Sequence, residues 1–392
     1  MIVRNYNSLS SLQPYRAAWD RLAGDCAFRS WTWLSTWWRH YGGDGDAATP
    51  AERDRARRLH VLLVFEAPAE RSPEADSETL VGVFPCYWSR SLTRGRMLRL
   101  LGDGEVCSDH LGVLADAHRA ADVAAALAAH LAADSSWDLI DFADVDDRDH
   151  ATAGLFGALA AAGCRAASYA AHRTWSIALP ADWEQFLALQ SKSHRKQLRQ
   201  AERRVLDRGD AVWRPVTALD QFDAAWSILI DLHQRRRQSL GEPGCFASPA
   251  WAAFHRDVAP RMLADGRLRL SWLELGGSPA AAEYHLAGAH ATYAYQGGVD
   301  PLRLAEEPGR LSTIRCIQQA IAQGHSQFDL LRGDEPYKAH WRAEPHGTRR
   351  WQAAAPRTLA RLRRGSWAGA RRAAQLARQL SALFTLPTTG QA

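Results

Sequence analysis

The alternation of apolar and polar positions divides the first half of the chain into short segments. Met1–Asn5 predicts a strand, Ser11–Leu22 a helix and Ser30–Tyr41 an aromatic helix. Gly, Asp, Ala and Pro between Gly42 and Pro50, then charge through Arg58, predict a loop. Apolar runs at Leu59–Glu66 and Leu80–Trp88 predict strands, with short candidates at Met97–Leu101 and His110–Leu114. An alanine-rich helix at Ala117–Ala132, a strand at Trp137–Phe142 and a helix at Ala151–Ala162 complete this half.

The second half repeats the order. A strand at Thr174–Leu179 precedes helices at Asp182–Leu206, Ala218–Gln238 and Pro249–Ala264. Strands at Arg267–Leu275, Ala280–Ala287 and Ala289–Gly297, a helix at Pro308–Gln323 and a strand at Ser326–Leu331 follow. Helices, an antiparallel meander, a crossover helix and a further strand, occurring twice, predict a duplicated α/β (α+β) architecture. The boundaries are 1–170, 171–355 and a basic tail, 356–392, helical over Pro356–Phe384 with a break at Gly365.

At 392 residues the chain has the length of two ordinary domains plus a tail. Its net charge of +5 is uneven: nine arginines and no acid follow Glu344, leaving 39 basic against 43 acidic residues before them. The basic character therefore belongs to the tail. Six scattered cysteines lack zinc or disulfide spacing and fit a reducing cytoplasm, and neither a signal peptide nor a membrane-spanning run is read. HExxH, GxSxG, Walker A and GxGxxG sequences are absent, so no metal and no redox cofactor is expected.

The strings Tyr295-Gln296-Gly297-Gly298-Val299-Asp300-Pro301, Pro308-Gly309 and Phe328–Trp341, the last containing Gly333-Asp334-Glu335-Pro336-Tyr337-Lys338, resemble the CelD-type acetyltransferase family. Ser193–Ala201 is similar to the basic helix of that family and of its FemAB relatives. The resemblance covers most of residues 185–345. It implies two tandem GNAT-like (acyl-CoA N-acyltransferase) domains and transfer of an acyl group from acetyl-CoA or another thioester. FemAB relatives take amino acids from aminoacyl-tRNA instead, and the Arg/Gln-x-x-Gly-x-Gly/Ala diphosphate loop of GNAT enzymes is missing from the second half, where the resemblance lies.

Four groups of residues are candidates for the chemistry. Lys192, Arg195, Lys196, Arg199 and Arg203 share one helix face, suited to a phosphate or to solvent. Gly309, Arg310, Leu311 and Ser312 open a helix whose amide groups and dipole favour an anion, and Tyr295 and Gly297 end the strand before it. Glu283, in an otherwise apolar strand, and Asp334 are candidate bases; Tyr337 is a candidate proton donor and Lys338 a partner for developing negative charge. Loss of Lys338 or of the Tyr337 hydroxyl is expected to lower turnover without unfolding. His233, Arg236 and Trp341 are candidates for binding an acceptor. Trp31, Trp33, Trp37 and Trp38 read as core in preference to a sugar platform.

By resemblance, the acceptor is a small molecule or saccharide, such as an exopolysaccharide or cell-envelope precursor, and polysaccharide-synthesis machinery is a partner. Two alternatives stand beside this. One is aminoacyl transfer with tRNA on the basic stripe; the other is a non-catalytic accessory protein held peripherally at a membrane by its arginine tail.

Overall fold

A computed structural model describes residues 1–42, 57–66, 78–207, 209–357 and 360. The first half runs β1 (Ile2–Tyr6), α1 (Leu9–Leu12), α2 (Arg16–Ala23), α3 (Trp31–Tyr41), β2 (Arg58–Glu66), β3 (Thr79–Ser91), β4 (Gly95–Leu100), β5 (Leu114–Ala115), α4 (Ala120–Ala133), β6 (Leu139–Asp146), α5 (His150–Ala161) and β7 (Arg165–Ala178). After α6 (Trp183–Leu189) and α7 (Lys192–Ala201) the second half repeats the plan. It runs β8 (Ala211–Pro215), α8 (Phe222–Ser239), α9 (Pro249–Ala264), β9 (Leu268–Leu275), β10 (Ser278–Ala287), β11 (Ala291–Val299), α10 (Pro308–Ala322), β12 (Gln327–Arg332), α11 (Pro336–His340) and β13 (Glu344–Ala354).

All strands but β5, which pairs with β3, lie along one continuous sheet in the order β1-β2-β3-β4-β6-β13-β7-β12-β11-β10-β9-β8. The order reads alike from either end. In each half a meander leads through a crossover helix to a strand parallel to the last one, β4 with β6 and β11 with β12. The final strands are exchanged: β7 pairs with β12 of the second half, and β13 with β6 of the first. β7 itself spans the 170/171 position, so both halves share this strand's hydrogen bonds.

The tryptophan-rich helix α3 is core. Ser30 caps it by accepting from the Trp33 amide, and eight residues from Trp31 to Trp38 are buried. Trp33 packs edge-on against Phe254 of α9 at 5.1 Å, so α3 also joins the two halves.

Several expectations need correction. Asp182–Leu206 is three segments, not one helix, because Gln190 leaves the helical path and Ser191 caps a new start, α7, which ends in a π-turn over Glu202–Leu206. His110–Leu114 is mostly loop; only Leu114–Ala115 pairs. β8, α11 and β13 were not anticipated. The basic helical tail and most of the loop after Gly42 lie outside the described residues.

Candidate active site

Strands β11 and β12 pair only over Ala291–Tyr293 and Gln327–Asp329, then part. Beyond that point Ala294–Val299 keeps β10 on one side, while Leu331 and Arg332 turn to β7 on the other. A bulge at Tyr284/His285 helps splay β11. The gap opens into a cavity of about 820 Å³ bounded by β10, β11, β12, α7, α8, α10 and α11. The Asp300 amide donates to Ala280, so by alternation Gly298 faces β10, while Gly297 and Val299 turn their backbone groups to the opening.

Glu283 reaches this cavity from β10 and is held from two sides. Ser312 of α10, fully buried, donates to its Oε1, and His285 Nε2 lies 3.1 Å from its Oε2. A carboxylate fixed in this way, with one face toward a cavity, suits a general base. Gly297 leaves the carboxylate room, since a Cβ there would lie 2.7 Å from Glu283 Oε2 and displace it. His233 of α8 donates from Nδ1 to the Gly297 carbonyl at 2.9 Å, and its Nε2 faces the Cys245 thiol at 3.2 Å. Burial holds His233 below the usual histidine range and pushes the Cys245 thiol up to about 12, so both are neutral at pH 7. Tyr337, half exposed, lines the cavity; burial and the nearby Glu335 and Glu283 raise its hydroxyl to about 12, which keeps it a proton donor. Arg236 also lines the cavity and forms no ion pair among the described residues. Arg310 does too, paired with Glu307 at 2.7 Å, and Trp341 closes the wall as a buried ring.

Other candidates lie outside the cavity or reach its wall with their polar groups already engaged. Asp334 is exposed outside the cavity, where Arg173 and Trp175 bond its carboxylate and hold it below the usual range. Lys338 is 1% exposed and occupied: Nζ donates to the carbonyls of Leu331, Arg332 and Gly333 at 3.1, 2.7 and 3.2 Å and pairs with Glu335 at 3.0 Å. Its ammonium ties down the end of β12, which explains its position better than charge stabilisation does. Leu311 is core. Tyr295 contributes backbone only, its ring pointing away so that its hydroxyl donates to Val106 O at 2.5 Å and meets His255 at 3.1 Å. Arg195, Lys196 and Arg199 are not among the cavity walls; Lys196 and Arg199 face solvent, and Arg199 pairs with Glu184.

The residue of α7 that does face the cavity is His194, buried against His340 and Trp341. Burial and the neighbouring His340, Arg310 and Arg342 lower it to about 4. Its i+4 relation to Leu198 on the apolar face of a basic helix was the available signal.

The first half also contributes. Asp109, 1% exposed, lines the cavity and accepts from the Arg332 backbone amide at 2.9 Å and Nε at 2.6 Å. His110 bridges the halves, its Nε2 2.9 Å from Asp329 and its Nδ1 3.3 Å from Asp146. Burial opposes its charge, but the two carboxylates hold the imidazole well above its ordinary range. Cys107, His110, Asp144 and Leu331 all adopt positive φ here, a concentration of strained backbone where the halves meet.

An acyl-CoA would need a place for both its thioester arm and its diphosphate. The open edge of β11 fits an extended thioester arm. The start of α10 fits a diphosphate poorly: Pro308 has no N–H, the Arg310 and Leu311 amides donate to the Glu307 carbonyl, and the Glu307 carboxylate stands at the cap. Among the described residues no cluster of three or more His, Cys, Asp or Glu is placed to hold a metal, and no helix is long and apolar enough to cross a membrane.

Residues 192–339 match the model of the acetyltransferase (GNAT) domain family. No curated protein matches the sequence. Among solved structures the chain is similar to FemX, with 11% identity, 92% of this chain and 99% of that one covered, and a TM-score of 0.60. It is also similar to a conserved protein of unknown function from Bacteroides thetaiotaomicron, with 9% identity, 90% and 100% coverage and a TM-score of 0.51. At such identities the likeness concerns the fold. The architecture is that of two GNAT-like domains, with the matched acetyltransferase segment in the second half.

Proposed function

We propose that this chain is an acyltransferase with one active site, the cavity between the parted strands β11 and β12. The observation that carries the reading is the fixed carboxylate of Glu283 beside the unpaired edge of β11, within the segment that matches the acetyltransferase domain. An acyl thioester is the proposed donor, acetyl-CoA being its simplest form. Glu283 takes the proton of an attacking hydroxyl or amine, and the outward N–H groups of Gly297 and Val299 meet charge developing on the acyl oxygen. Tyr337 returns a proton to the departing thiolate, and Arg236 meets an anionic group of the acceptor. A saccharide or cell-envelope precursor, as the CelD-type resemblance suggests, fits such an acceptor. A second reading, aminoacyl transfer from tRNA, is favoured by the likeness to FemX over nearly the whole chain.

Calorimetric titration with acetyl-CoA, desulfo-CoA and aminoacyl-tRNA separates the donors. With the donor in hand, Glu283→Gln keeps both hydrogen-bonded neighbours and is expected to lower kcat by about 10²–10⁴-fold with KM for the donor little changed. Unchanged turnover in that variant removes Glu283 as the base.

A further inference from the structure

The poor fit for a diphosphate at α10 and the basic stripe on α7 have no place in transfer from a free nucleotide thioester. Resting on the acyl-transfer reading, we infer that the acyl group is delivered on the flexible thiol arm of a small acidic carrier protein, which docks on α7.

Two independent features meet in this inference. At the head of α10, only the Gly309 amide is without a backbone acceptor among the first helical residues. Glu307 caps the helix with a left-handed backbone, its carboxylate held by Arg310, and Glu306 lies next to it, held by Arg303. Two carboxylates thus occupy the arginines nearest this helix start, which leaves a diphosphate there little positive charge to bind. A carrier's arm brings a single phosphate, which remains near the carrier's own surface.

Beside the cavity, α7 and its π-turn carry Lys192, Lys196, Arg203 and Arg204 exposed, none with an acidic partner among the described residues. Glu202, the one acid of this segment, is turned inward to Trp183 and Gln318. The stripe runs about 18 Å along the helix, the length of contact that one helix of a partner makes. His194, on the opposite side of the same helix, lines the cavity, so a protein docked on the outer face is one helix width, about 10 Å, from the cavity wall. Up to Glu344 the chain carries 39 basic and 43 acidic residues, which disfavours a long polyanion on this part of the chain beyond the stripe and favours a small acidic domain.

The test uses the full chain and four probes: acetyl-loaded acyl carrier protein, acetyl-pantetheine, acetyl-CoA and aminoacyl-tRNA. The carrier is expected to bind at least about tenfold more tightly than acetyl-pantetheine or acetyl-CoA, with affinity falling steeply as salt rises. The double variant Lys196→Glu/Arg203→Glu should lose that tenfold gain and its salt dependence, while acetyl-pantetheine binding stays within about twofold. The inference is overturned if acetyl-CoA binds as tightly as the loaded carrier, if the double variant leaves carrier binding intact, or if aminoacyl-tRNA is the probe that the variant loses. If acetyl-pantetheine binds and the carrier adds nothing, only the docking inference fails. If no thioester binds at all, the acyl-transfer reading fails with it.

Discussion

Replacing Lys338 by methionine separates a structural ammonium from a chemical one. The side chain is 1% exposed, and its Nζ holds three successive carbonyls, Leu331, Arg332 and Gly333, at 2.7–3.2 Å. These carbonyls belong to the end of β12, where Leu331 and Gly333 have φ of 58° and 110° and the chain turns toward α11. A hydrogen bond from a charged donor contributes about 1.5–3 kcal/mol, so three amount to roughly 5–9 kcal/mol before the cost of burying the ammonium is counted. That cost is several kcal/mol, and methionine retains most of the packing of the lysine stem. The net loss expected for Lys338→Met is therefore about 3 kcal/mol, or a fall in Tm of roughly 4 °C for a chain of this length. Thermal unfolding followed by circular dichroism measures it. Amide exchange should rise first at residues 331–333, because the local turn loosens before the sheet. A variant that keeps its Tm within about 1 °C yet loses turnover refutes this account and returns Lys338 to the chemistry.

His110 sets a pH dependence. Its folded-state pKa lies above the unfolded value because Asp329 and Asp146 hold the charged ring despite burial, so its contribution is full below about pH 6.5 and is lost as pH rises through the folded value. Tm measured across the alkaline range should fall in the wild type, and His110→Asn, which tolerates the left-handed backbone at that position, should flatten the slope. Gly298→Ala should destabilise by about 2–3 kcal/mol, since its Cβ would stand 2.3 Å from the His233 backbone nitrogen and push α8 off β11; urea unfolding reads this directly, and wild-type stability would mean that the helix yields freely.

How far the sequence was legible depended on where each element's hydrogen bonds go. β2, β3, β9, β10 and α10 announced themselves, because each buries a periodic apolar set. β13 did not. Its Glu-Pro-His-Gly-Thr-Arg-Arg start reads as a loop, and it is a strand because β6 and β7 flank it and Asp141 accepts from Arg350 and Gln352. Glu283 was legible as an acid out of place in an apolar strand, although only the folded chain brings Ser312 and His285 to it. Lys338 and Asp334 were legible as a charged cluster but not as separate tasks, since a helical turn buries one while the other remains at the surface.

By itself the sequence determined the duplicated order of helices and strands and the core character of the tryptophan helix, because periodicity and burial are local properties of the chain. Tertiary structure alone decided the exchange of β7 and β13 between the halves, the parting of β11 from β12, and the insertion of Asp109 and His110 from the first half beside Arg332 and Asp329 of the second. Those contacts join residues more than 200 positions apart. No spacing along the chain encodes them; they exist because two folded halves complete one sheet and bury their charges against each other.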